Sequence, residues 1–121
     1  MGASATILCV DDEPSILFST NAILARAGYE VLTAADADTG IELLKSRRID
    51  LVLLDSLPGR DNLIVEARRA SQAVKLLLCT GDPSKVDFPN VDAVVCKPIA
   101  PPDLLRLIAE TLGSQNGVSR S

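Results

Sequence analysis

No histidine and no tryptophan occur among the 121 residues. The first absence removes the commonest general base and metal ligand. Aromatic residues make up only 2% of a chain that is 47% hydrophobic, so the core must be aliphatic, built from Leu, Ile, Val and Ala. So few rings argue against flavin, free-base or single-stranded nucleic acid binding, each of which relies on stacking. A net charge of −4 with no basic run disfavours a nucleic-acid surface. No apolar stretch is long enough to cross a bilayer and no signal peptide pattern precedes the first apolar run, so a cytoplasmic location is expected, without membrane contact. The glycine motifs of P-loop and dinucleotide sites are missing. The three cysteines, Cys9, Cys79 and Cys96, lack CxxC spacing. Each lies in an apolar run and reads as a small buried hydrophobe.

What is present is alternation. The length suits one domain. Five short apolar runs read as strands: Thr6–Val10, Glu30–Ala34, Leu51–Leu54, Leu76–Cys79 and Ala93–Cys96. Continuous apolar strands suit a parallel sheet covered on both faces. Helical spacing lies between them. The first helix is expected over about Pro14–Ala27, where Ile16, Thr20, Ile23, Leu24 and Ala27 keep helical spacing and Gly28 is a good C-terminal stop. The second covers about Ala37–Ser46, with Asp36 as N-cap and Ile41, Leu43 and Leu44 inward. The third covers about Asn62–Ser71, with Leu63, Ala67 and Ala70 on one side. The last covers about Pro102–Leu112, with Leu104, Leu105, Ile108 and Leu112 as its buried stripe. The stretch GDPSKVDFPNVD after Thr80 carries Pro83 and Pro89 and no helical period, so a loop or single turn is expected where a helix would stand. The fold class is α/β, a three-layer sandwich with right-handed crossovers. The domain is expected over 5–112, with 113–121 a flexible tail or truncated linker.

The carboxyl ends of parallel strands converge on one rim. There the chain places Asp11, Asp12 and Glu13 after the first strand and Asp55 after the third. Thr80 and Gly81 end the fourth strand, and Lys97-Pro98 follows the fifth. Singly, each has an ordinary explanation. Asp12 serves as well to cap the first helix, Thr80 suits any strand end, and a lone lysine is most often solvated. Jointly they are hard to explain as chance. Clustered carboxylates raise one another's pKa and need a compensating cation. Lys97 supplies one charge, and a hard divalent ion with oxygen ligands, Mg²⁺, supplies the rest. Asp55 is then an oxygen nucleophile beside a metal, with Thr80 and Lys97 placed to hold equatorial oxygens during in-line phosphoryl transfer.

VDDE at 10–13, LLD at 53–55, CTG at 79–81 and CKP at 96–98 make the chain resemble a response regulator receiver domain of two-component signal transduction. The resemblance implies a flavodoxin-like fold with strand order 2-1-3-4-5. It implies Asp55 as phosphoacceptor, Asp12 and Asp55 as direct Mg²⁺ ligands, Asp11 acting through water, and Thr80 and Lys97 contacting the phosphoryl group. The donor would be a phosphohistidine on a sensor histidine kinase or phosphotransfer protein, with an output protein as a further partner.

The chain departs from the family pattern in three places. Only Ser56 precedes Leu57-Pro58, so the loop after the acceptor is one residue short. The family's metal-binding backbone carbonyl falls by count on Leu57. The stretch from Thr80 to Lys97 is also shorter than usual, in keeping with a missing or reduced fourth helix. Val94 stands where the family carries an aromatic ring that swings inward on activation. A monomer or a dimer of non-standard geometry is therefore expected. Cys79 and Cys96 are expected side by side on neighbouring strands as two thiols. The competing reading is an atypical receiver acting as a phosphorylation-independent interaction module. A turnover phosphatase ranks below both, because such enzymes want a second acid where Leu57 stands.

Overall fold

The computed structural model describes residues 5–55, 57–71, 73–81 and 91–113. Five strands, β1 (Thr6–Val10), β2 (Glu30–Ala34), β3 (Leu51–Leu54), β4 (Lys75–Thr80) and β5 (Ala93–Cys96), form one sheet in the order β2-β1-β3-β4-β5. All four pairings are parallel. The helices described are α1 (Pro14–Arg26), α2 (Ala37–Ser46), α3 (Arg60–Ala70) and α4 (Pro101–Gly113). This is the expected α/β three-layer sandwich in the expected strand order.

Alternation along the central strands divides the core in two, because successive side chains point to opposite faces. Leu8, Val10, Val52, Leu54, Leu76 and Leu78 pack with Ile41 and Leu44 of α2 and Leu63, Ile64 and Ala67 of α3. Ile7, Cys9, Leu51, Leu53, Leu77 and Cys79 pack on the other face, with Leu24 of α1 and Leu104 and Ile108 of α4. The strands buried on both faces are the ones whose sequences are continuously apolar.

The amino rim of the sheet is tied by side chains. Asp50 accepts a hydrogen bond from the Thr6 N–H at 2.8 Å. Asp92 accepts from the Leu76 N–H at 2.7 Å and from the Arg68 guanidinium at 3.0 Å. Asp36 caps α2 as expected, accepting from the Thr39 N–H at 2.8 Å.

Several expectations need correcting. Within α1 only Leu24 is fully buried; Ile16 is half-exposed, Ala27 lies outside the helix, and Leu17 packs instead. On α3, Ile64 rather than Ala70 turns inward, and the helix begins two residues early, at Arg60. Gly113 belongs to α4 rather than to the tail. Cys96 is exposed, not buried. It pairs in register with Thr80, while Cys79 pairs with Val95, so the two thiols lie on opposite faces of the sheet. The expected loss of a helix falls largely on residues 82–90, and the expected tail on 114–121; both lie outside the described residues.

Candidate functional site

Each site residue is carried to the rim by the last rung of a strand. The Asp11 N–H donates to the Ala34 carbonyl at 3.1 Å, and the Asp55 N–H to the Val10 carbonyl at 3.0 Å. The Lys97 N–H donates to the Thr80 carbonyl at 2.8 Å. Backbone bonds to neighbouring strands thus fix Asp11, Asp55, Thr80 and Lys97 along one rim of the sheet, on elements whose apolar sides are locked in the core. Such anchoring limits how far the acids can retreat from one another.

Carboxylate oxygens of Asp11, Asp12 and Asp55 lie within 4.8 Å of one another. Asp11 is buried, Asp55 is partly buried and Asp12 is exposed. The Lys97 ammonium sits 2.6 Å from Asp55 Oδ1. Burial is the largest influence on Asp11 and pushes its pKa up. The N–H of Glu13, donated to Asp11 Oδ1 at 2.9 Å, opposes this, and the neighbouring Asp55 charge reinforces it. Burial alone would lower the Lys97 pKa; the hydrogen bond to Asp55 and the charges of Asp55 and Asp11 outweigh it and hold the pKa above the usual lysine value. Lys97 is therefore a fixed cation at neutral pH.

Asp12 does not cap α1. The N-cap position falls on Glu13, whose side chain makes no capping bond. The helix-capping account of Asp12 thus has no support, and its carboxylate stays free for the crevice. Thr80 is buried at the end of β4. The Leu57 carbonyl accepts from the Arg60 N–H at 3.2 Å, and its side chain packs on the α2–α3 side of the core. The short connection after Asp55 is closed by Gly59, in the left-handed region at φ 84°, where a Cβ would come within 2.9 Å of the Ala37 Cβ. The Pro58-Gly59 pair just before a helix is the local sequence signal for that turn.

The donor set is all oxygen, with three carboxylates and one nearby ammonium. It suits a hard cation such as Mg²⁺ rather than a soft one. Comparison with known proteins agrees with the geometry. The family model for the response regulator receiver domain matches residues 7–109. The chain belongs to that family. Among curated relatives, the transcriptional regulatory protein DltR of Streptococcus agalactiae is 36% identical over 110 residues, covering 84% of this chain and 49% of its own. AfsQ1 of Streptomyces coelicolor is 32% identical over 101 residues, covering 78% of this chain and 45% of its own. This receiver thus spans about half the length of the curated relatives it matches. A CheY-like receiver domain protein from Methanospirillum hungatei superposes with a TM-score of 0.84 at 33% identity, covering 95% of this chain and 98% of the other. TrrA of Thermotoga maritima, a response regulator solved in complex with Mg²⁺ and BeF, has a TM-score of 0.79 at 28% identity, covering 88% and 98%. Among the described residues of the receiver, no helix is long and apolar enough to cross a membrane.

Proposed function

We propose that Asp55 accepts a phosphoryl group, in a Mg²⁺-dependent step, from a phosphohistidine on a partner histidine kinase or phosphotransfer protein. The observation that carries this reading is the gathering of three carboxylates within 4.8 Å, one of which, Asp55, is held 2.6 Å from a lysine. Asp12 and Asp55 would hold the metal directly and Asp11 through water. The Leu57 carbonyl would give its second lone pair, the first being engaged by the Arg60 N–H. Bound there, Mg²⁺ supplies positive charge to the transferring oxygens.

The chain's own residues do the rest. A carboxylate oxygen of Asp55 attacks phosphorus in line. The new O–P bond forms as the N–P bond of the donor breaks, and the leaving imidazole takes up a proton. The Lys97 ammonium, freed from Asp55 Oδ1, moves to a phosphoryl oxygen and keeps the local charge balanced. The Thr80 hydroxyl holds another. Asp55 is consumed in each event and regenerated only by hydrolysis or onward transfer, so the domain acts as a signalling acceptor and not as a turnover enzyme.

Val94 is 41% exposed on the edge strand β5. With valine there, output to a partner protein has to rely on an element other than a rotating ring. A cytoplasmic location goes with the proposed donor, and no nucleic-acid contact is assigned to this domain. The test is direct. Incubation with acetyl phosphate and Mg²⁺ should add the mass of one phosphoryl group to wild type and none to Asp55→Asn. Beryllofluoride with Mg²⁺ should raise Tm for wild type only. A wild-type protein that gains neither mass nor stability overturns the proposal.

A further inference from the structure

On the face of the sheet that carries Leu53 and Cys79, α1 and α4 stand apart. A cavity of about 300 Å³ lies between them. Ile16, Leu17 and Ile23 of α1 make one wall, and Ile99 and Leu104 make the other. Cys9, Leu53 and Cys79 form the floor. Burial, above all, pushes both thiols up to about 12, so the floor is uncharged at physiological pH. Protein interiors rarely leave voids larger than a water molecule. This one, a cleft partly open to solvent, has room for about ten water volumes, and apolar walls offer water few partners.

The opening follows from composition. The chain has two phenylalanines, one tyrosine and no tryptophan. The ring of α1, Phe18, is 77% exposed and does not fill the gap. The residues after α4, SQNGVSRS, contain one valine and no apolar stretch, so that segment is a poor occupant. One end of the cavity is charged. Asp11, Asp55 and Lys97 line it there. Lys97 is paired directly with Asp55 and acts on the buried Asp11 only through its charge, without an ion-pair contact, so one lysine faces two carboxylates at this end of the cavity.

We infer that this cavity binds a small amphipathic amine, with its aliphatic or alicyclic body between α1 and α4 and its ammonium head on Asp11. Such a ligand removes a carboxylate from the acidic crevice, so it and a divalent cation exclude each other. The consequence for phosphorylation rests on the function proposed above; the binding itself does not.

Titrating the 121-residue chain with linear primary amines, propyl to octyl, and following backbone amide shifts by NMR tests this. Shifts should concentrate at Leu17, Ile23 and Leu104. Affinity should tighten about fourfold per methylene until the cavity is full. Carboxylates of equal length should bind at least roughly tenfold more weakly, and Mg²⁺ should raise the apparent Kd of the amines. Thr20→Phe places a ring in the cavity and should abolish amine binding while keeping the Mg²⁺-induced shifts at the crevice. Should that variant fail to fold, Ile23→Ala enlarges the cavity and should tighten the longer amines. Affinity independent of chain length, carboxylates binding as well as amines, or shifts scattered elsewhere would overturn the inference. Wild type that shows no response to Mg²⁺ counts against the phosphorylation reading, and the amine series still decides the cavity.

Discussion

Replacing Asp11 by Asn should make the metal-free protein more stable. Two unit charges 4.8 Å apart repel by about 3.5 kcal/mol at an effective dielectric of about 20. Lys97 offsets part of that, and water around the exposed Asp12 screens more. A net gain of about 1–2 kcal/mol remains for removing one charge from the cluster. Asn keeps the oxygen that accepts from the Glu13 N–H, so no backbone donor is orphaned. In a domain of this size the gain corresponds to a rise in Tm of about 3–8 °C. The pH dependence follows from the raised pKa of Asp11. Because folding disfavours its charged form, the folded state holds its proton longer than the unfolded chain. Stability is therefore lost as pH rises from the ordinary aspartate value through the folded one. The advantage of Asn should be smallest at and below the ordinary aspartate value of 3.8 and should grow as pH rises through the raised folded value. Mg²⁺ should reverse the ranking. At a hundred times its Kd it adds about 2.7 kcal/mol to wild type and much less to the variant. Calorimetry from pH 3 to 8, with and without Mg²⁺, measures all of this. A variant less stable than metal-free wild type at pH 7 would refute the reasoning.

Gly59→Ala forces a side chain into left-handed backbone and against Ala37, so we expect a loss of about 2–3 kcal/mol by urea denaturation. A variant within 0.5 kcal/mol of wild type, about the scatter of neutral surface changes, would contradict the tight turn described after Asp55. Thiol labelling at pH 8 should modify Cys96 rapidly in the native protein, while Cys9 and Cys79, pushed up to about 12 and buried, react only on unfolding. Fast labelling of Cys79 would show that the α1–α4 side of the core is open to large reagents.

Much of this structure is legible in the residues because strand faces and strand ends obey strong constraints. Leu51–Leu54 had to be doubly buried, and an acid directly after it had to emerge at the rim, as Asp55 does. The Lys97–Asp55 contact follows once strand order is known. Register was harder. The offset that pairs Cys79 with Val95 depends on where β4 and β5 begin, and a shift of one residue reverses the face of every side chain. For α1, apolar spacing suggested a buried stripe, yet burial needs a partner surface as well as a pattern. With α4 standing off, Ile16 is left half-exposed although its position in the pattern is correct. Pro58-Gly59 marks a turn locally, but the close approach to Ala37 is set by the packing of α2 against α3, which no local pattern encodes.

The two rims of the sheet have opposite characters. At one, Asp50 and Asp92 hold the leading amides of β1 and β4, and Arg68 braces Asp92. At the other, acids crowd together against one lysine. The clamps that tie one rim therefore lie at the opposite end of the strands from the acids gathered at the other. Under the proposed function, a single charge added there would act on the crowded acids and leave the clamps behind them in place, so a domain this small would change state and remain folded.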